Sequence, residues 1–200
     1  QLSRSLKRMN GMLTPMSKYF CSEMCISVAN RNIQVLGGSG YIKDYAAERH
    51  ARDARITTIY EGTSQLQVVA AVRGVTSGSL NTWAEEHENR TYDDPMLEEL
   101  KQKLVELRKR IDEAVKFVKT QSTSYLDLSG RRLVDSAIAV ICGHLLLAQG
   151  AGDERKKRVA RRYIERELPV ARMNLEQIHR GDMSPLEEYA LLAGPVPPAI

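Results

Sequence analysis

Aromatic residues are scarce in this chain: 6% of its 200 positions, with a single Trp and two Phe. A core built from such material must rest on Leu, Ile, Val, Ala and Met, which suits helix packing better than stacked sheets. Cysteine is scarcer still. Cys21, Cys25 and Cys142 are too few for a disulfide framework. Cys21 and Cys25 stand four apart with no His or further Cys beside them, which is poor metal-ligand spacing. All three are therefore expected to pack in the core of a protein kept in reducing surroundings, and no metal site is expected. No stretch alternates Val, Ile, Thr and Tyr for long enough to build a β-domain. The longest apolar run, residues 137–148, is interrupted by Gly143-His144 and falls short of the roughly 20 residues that span a bilayer. Charge of one sign is lacking too: 29 basic against 25 acidic residues leave a net +4. A pI near 9.0 gives no reason to expect nucleic-acid binding.

What is present is apolar material at helical spacing. Hydrophobic residues make up 42% of the chain, enough for a core in one or two domains. Thr14-Pro15 reads as an N-cap followed by an N1 proline, and Gly37-Gly38 as a stop, which places a helix over 15–36. Shorter helices are expected over 46–54 and 63–75, the latter turning Leu66, Val69 and Ala70 inward. The composition shifts between Gly74 and Asp94, a Gly, Ser, Asn and Thr-rich stretch read as a linker with one helical turn around Trp83. Pro95 then opens an amphipathic helix whose Leu97, Leu100, Leu104, Leu107, Ile111, Val115 and Val118 recur three or four apart. Gly130 is expected to separate it from a central apolar helix over 131–149, where His144 reads as a satisfied core histidine. A third helix runs from Asp153 to Arg180, kinked by Pro169. Between Glu154 and Arg166 seven basic residues face two acidic ones, most simply a solvated face with Val159, Ile164 and Leu168 inward. The fold class is all-α, divided into 1–76, a linker over 77–94, a bundle over 95–181 and a tail over 182–200.

The densest chemistry lies in Arg52–Gln67. Its only glutamate, Glu61, stands between Tyr60 and Gly62, with Thr63, Ser64 and Gln65 following. A carboxylate beside an aromatic ring can be desolvated toward a neutral pKa, as a general base requires, and Gly62 allows a substrate carbonyl to approach the backbone. The other reading is a helix start, with Gly62 or Thr63 as cap and Glu61 favoured by the helix dipole. Upstream, Gly37-Gly38-Ser39-Gly40 is either a left-handed helix terminator or a loop whose N–H groups approach a phosphate.

Taken in order, Gln34, Gly37-Gly38, Gly40-Tyr41, Glu48-Arg49, Arg52-Asp53-Ala54 and Ile59-Tyr60-Glu61-Gly62-Thr63 with Gln65 and Gln67 resemble the C-terminal part of the acyl-CoA dehydrogenase family. The likeness covers residues 1 to about 75, and the remainder is similar to the helical extension of longer members. It implies flavin-dependent α,β-dehydrogenation of an acyl-CoA thioester. Glu61 matches the α-proton-abstracting base, and FAD takes the β-hydrogen as hydride. Tyr60 and Gly62 match residues flanking the acyl chain, and Thr63 and Gln65 match FAD contacts. Gln34, Gly37 and Gly38 match a loop that reaches the FAD of a neighbouring subunit, which implies a homo-oligomer, with the extension favouring a dimer. Arg49, Arg52 and Asp53 are expected to form a shielded ion pair that positions the loop.

The resemblance further implies electron-transfer flavoprotein as electron acceptor. It also implies a cytoplasmic location in a bacterium, or the mitochondrial matrix side in a eukaryote. Very-long-chain members associate with membranes, so a peripheral membrane contact through Glu154–Arg166 is the other use of that face. The expected flavin-holding β-domain has no counterpart in these residues, so the chain is expected to be a fragment, inactive when isolated. The competing reading is a non-catalytic helical assembly or membrane-association module on the same scaffold.

Overall fold

The computed structural model describes residues 2–195, and every regular element among them is a helix. α1 (Leu2–Leu36), α2 (Gly38–Tyr41), α3 (Ala47–Ile56) and α4 (Ser64–Thr76) make the first part. α5 (Ser79–Glu88), α6 (Pro95–Lys119), α7 (Thr123–Gly150) and α8 (Glu154–His179) make the second, and the short α9 (Ser184–Glu187) and α10 (Tyr189–Ala193) follow. The all-α expectation holds.

α6 forms as its pattern dictates. Asp94 caps it by accepting from the Met96 and Leu97 amides at 2.9 and 3.2 Å, satisfying donors that a helix start leaves free. All seven residues of its apolar stripe are buried. Each buried Leu contributes roughly 1.5–3 kcal/mol by leaving water. The second oxygen of Asp94 takes Lys157 Nζ at 2.8 Å, which ties the start of α8 to the start of α6. α7 packs against α6 and α8, which also touch each other, and against α4. It is 28 residues long, and by length and composition it could cross a bilayer, unlike the shorter run expected. It is a core helix here, with 67% of its most apolar window buried inside the protein. One hydrophobic cluster runs without a break from Met12 on α1 to Ile178 on α8.

Several expectations are corrected. α1 does not begin at Pro15: the helix passes through it, because Met12, Met16 and Tyr19 on either side are buried and their packing offsets the lost backbone bond. The stretch read as a linker contains the ten-residue α5, which buries Leu80, Trp83, Ala84 and His87. Its polar composition disguised a helix whose charges serve tertiary pairing. Glu88 takes Arg108 of α6 in a two-pronged bond at 2.5 and 3.1 Å, and Arg108 also reaches Asp112 at 2.8 Å. Gly130 separates nothing. It is buried within α7, and the break falls at Thr120–Ser122, where Ser122 accepts from the Tyr125 amide.

The inner face of α4 is Ser64, Val68, Ala71, Val72 and Val75. Leu66 and Ala70 are exposed and Val69 is half-buried, since a helix apolar on most sides does not reveal which side faces inward. Gly74 sits on the seam between α1 and α4, where a Cβ would lie 2.5 Å from Met12 Cβ. On α8, Ala160, Ile164 and Leu168 face inward while Val159 is exposed. The basic run is partly neutralised along its own face, by Arg158 with Glu154 and Arg161 with Glu165. Cys21 and Cys25 are exposed and Cys142 is half-buried. Cys21 and Cys25 border an open groove between α1 and α3 rather than the core, and among the described residues no group of His, Cys, Asp or Glu is arranged to hold a metal.

His144 is fully buried but not satisfied: neither ring nitrogen has a partner among the described residues. It packs edge-on to Trp83 at 6.2 Å and tilted to His87 at 6.1 Å. His87 Nδ1 lies 3.0 Å from the Trp83 carbonyl and must donate to it, since a carbonyl only accepts. Burial first, then His87, Lys101, Arg108 and Arg90, hold the His144 pKa down at about 4. Unfolding restores the ordinary value near 6.5, so between these limits the unfolded chain binds the extra proton. Stability from this site is present above about pH 6.5 and is lost as pH falls toward 4. Wild-type protein should lose roughly 2 kcal/mol of unfolding free energy between pH 7.5 and 5 through this residue. His144→Leu should flatten that dependence. Urea unfolding of both proteins across this range checks it, and equal slopes would refute it.

Candidate functional site

The loop between α3 and α4 carries the sequence's densest chemistry, and its backbone is unusual. Glu61 has φ +51°, the only non-glycine residue with positive φ among those described, and Gly62 follows at +90°. A left-handed conformation costs an ordinary residue roughly 1–2 kcal/mol, so it persists only where surroundings over-determine it. Here they do. The Lys18 ammonium, projecting from α1, donates to the Thr57 carbonyl at 2.7 Å and to the Gly62 carbonyl at 2.8 Å. Gln67 Nε2 donates to the Glu61 carbonyl at 3.0 Å. The Ser64 amide donates across the loop to Thr58 O at 3.0 Å. At Gly62 a Cβ would lie 2.8 Å from Gln67 Nε2, so a side chain there would collide with the group that holds Glu61.

Thr63 is the N-cap of α4, its Oγ1 accepting from the Leu66 amide at 3.3 Å. The helix-start reading and the reactive-carboxylate reading are thus compatible: the cap holds the helix, and the strained residue stands before it. The Glu61 side chain is exposed, and no hydrogen bond or ion pair among the described residues engages its carboxylate. The dry surroundings expected for a base are not built by these residues. Tyr60 is 49% exposed, with its ring 5.5 Å from Lys18 Nζ.

Gln65 lies one residue into α4, with Oε1 accepting from Arg131 Nη2 of α7 at 3.2 Å. Arg131 Nη1 donates to Tyr19 Oη at 2.9 Å, its guanidinium carbon stands 5.1 Å from the Tyr19 ring centroid, and Tyr19 donates to Asp135 at 2.8 Å. Burial, and then the neighbouring Asp135 carboxylate, push the Tyr19 hydroxyl well above its usual range, so it stays a neutral donor. Burial likewise raises Asp135, opposed by the Tyr19 hydrogen bond and the Arg131 charge.

Tyr60, Glu61, Gly62, Thr63 and Gln65 therefore form one continuous surface around the start of α4. Gln34, Gly37 and Gly38 are exposed at the far end of α1, and among the described residues no hydrogen bond joins the two groups. The shielded ion pair expected of Arg49, Arg52 and Asp53 is absent. Arg52 instead pairs with Glu48 on its own helix at 2.9 Å, with its side chain 69% exposed, a surface contact worth at most about 1 kcal/mol. Lys18, Tyr19, Arg131 and Asp135 escaped the sequence reading because they lie 39 to 116 residues from their partners. The one available signal was a lone cation at Lys18 among the inward residues Met12, Met16 and Tyr19.

Two family models cover most of the chain: "Acyl-CoA dehydrogenase, C-terminal domain" over residues 3–76 and "Acyl-CoA dehydrogenase C terminal" over residues 76–178. The human mitochondrial short-chain specific acyl-CoA dehydrogenase is 54% identical over 52 residues, 26% of this chain and 13% of its own length. The caffeyl-CoA reductase–Etf complex subunit CarC of Acetobacterium woodii is 52% identical over 52 residues, 26% of this chain and 14% of its own length. A crystal structure of an acyl-CoA dehydrogenase family protein from Porphyromonas gingivalis superposes with a TM-score of 0.51 at 25% identity, covering 55% of this chain and 96% of that one. The matched segments thus span about a seventh of the curated relatives' length.

Lys18→Met should leave the Thr57 and Gly62 carbonyls without their donor, at a cost of roughly 1–3 kcal/mol each. Amide exchange measured by mass spectrometry should quicken over residues 57–64 while α6 keeps its protection. Unchanged exchange in the loop would show that the ammonium is not what holds it.

Proposed function

Since this chain belongs to the acyl-CoA dehydrogenase family, with its C-terminal models matched over residues 3–178, we propose that it supplies the general base for α,β-dehydrogenation of an acyl-CoA thioester. The observation that carries this reading is the left-handed Glu61, a strained residue clamped on both sides at the expected position. Strain that two side chains, a backbone bond and a cap maintain is what a functional position shows.

The Glu61 carboxylate takes the α-proton, leaving the electron pair to form the Cα=Cβ bond. FAD, the cofactor that the family resemblance implies, would supply the acceptor for the β-hydrogen and its two electrons, held there by Thr63 and Gln65. The Glu61 amide would hydrogen-bond the thioester carbonyl and stabilise charge developing on it. Tyr60 and Gly62 line the approach of the acyl chain. Thr63 and Gln65 fit a cofactor rich in acceptors: the Thr63 hydroxyl proton is left free by its capping role, and Ser64 Oγ, buried between them, has no partner among the described residues. Gln34, Gly37 and Gly38, exposed at the end of α1, face outward as a contact with a second subunit's cofactor requires, and we read the assembly as a homodimer.

The exposure of Glu61 is consistent with walls supplied by other parts of a polypeptide of the relatives' length, and the isolated chain is expected to be inactive. The name of the caffeyl-CoA reductase–Etf relative supports electron-transfer flavoprotein as the electron acceptor. The two family models meet at residue 76, which supports dividing the chain there, although both parts share one core.

In the full-length, flavin-loaded protein, Glu61→Gln should retain FAD and acyl-CoA binding and lose turnover by roughly 10²–10⁴-fold or more. Near-normal turnover, followed by loss of flavin absorbance under anaerobic acyl-CoA, would refute the role.

A further inference from the structure

The contact between Gln65 and Arg131 crosses the two matched regions, since Gln65 lies within residues 3–76 and Arg131 within residues 76–178. Its chemistry also settles a question of orientation. A glutamine amide can present either its oxygen or its NH₂ to a neighbour, whereas an arginine can only donate. With Arg131 Nη2 at 3.2 Å, the Gln65 oxygen faces α7, which leaves the NH₂ of this exposed residue as its group available to donate. Arg131 is itself held by Tyr19, through a hydrogen bond at 2.9 Å and the ring at 5.1 Å. Tyr19 in turn is directed by its own donation to the half-buried Asp135 at 2.8 Å. The planar guanidinium makes both bonds at once, which a lysine's single ammonium would not reproduce in the same geometry.

We propose that Arg131 is a positioning residue for the cofactor: it fixes the Gln65 amide as a donor aimed at the acceptor groups of bound FAD. This rests on the flavin reading above. It gives the second region a task at the site of the first, since α7 carries both Arg131 and the Asp135 that anchors Tyr19. Gln65 is the residue that would touch the cofactor, and Arg131 acts through it.

The test is the FAD dissociation constant of the full-length protein, read from flavin fluorescence, for wild type, Arg131→Met, Gln65→Leu and the double variant. Arg131→Met should weaken FAD about tenfold, Gln65→Leu by a similar factor, and the double variant little beyond either single one, because both substitutions abolish the same donor. Tyr19→Phe should give a smaller loss in the same direction. A purely structural role would lower the melting temperature without this coupling, so thermal unfolding of each apoprotein is recorded beside it. Arg131→Met binding FAD within twofold of wild type, or losses that multiply in the double variant, would overturn the proposal. Wild-type protein that binds no flavin would instead overturn the flavin reading itself.

Discussion

One ammonium group governs the geometry of the loop between α3 and α4. Lys18 draws the carbonyls of Thr57 and Gly62 to a single point, and the chain between them turns through a left-handed residue. That residue is Glu61. The arrangement places a carboxylate at the crest of a tight loop, and the Gln67 amide and the Thr63 cap hold the loop's exit into α4. Charge-assisted bonds to backbone carbonyls are among the stronger polar contacts a protein makes, which is why two of them can sustain a conformation that an isolated peptide would abandon.

α4 is the element through which this loop joins the rest of the molecule. It packs on α1 at a seam so close that only a glycine fits at position 74 against Met12, and Val68 and Val72 of its inner face meet α7 at Gly130. Because α7 is also the centre of the second bundle, one hydrophobic cluster serves both parts. The polar chain from Asp135 through Tyr19 and Arg131 to Gln65 runs beside that apolar contact. Movement of one bundle relative to the other would therefore be felt at the start of α4, where the candidate cofactor contacts lie.

Legibility followed from how local each determinant was. The stripe of α6 could be read directly, since seven residues at helical spacing leave one choice of inner face and Asp94-Pro95 marks the start. The block from Gln34 to Gln67 identified the family because its residues must stand in fixed order along one strand of chain. α5 was obscured because its charged residues signal solvent when read alone, yet Glu88 is spent on Arg108, 20 residues away. Pro15 argued for a helix start, and packing on both sides overrode it. The face of α4 was indeterminate in a segment apolar all round. His144 was read as hydrogen-bonded because buried polar groups nearly always are, and among the described residues its ring has no partner.

Periodicity was sufficient to establish that the chain is helical and which face of α6 turns inward, and the order of residues from Gln34 to Gln67 was sufficient to mark the family, because each depends on residues near one another in the sequence. The hold on that segment lay beyond their reach. The Lys18 clamp on the loop that carries the left-handed Glu61 and the handover from Arg131 to Gln65 join residues 39 to 66 positions apart, brought together only once α1, α4 and α7 have buried their apolar faces against each other.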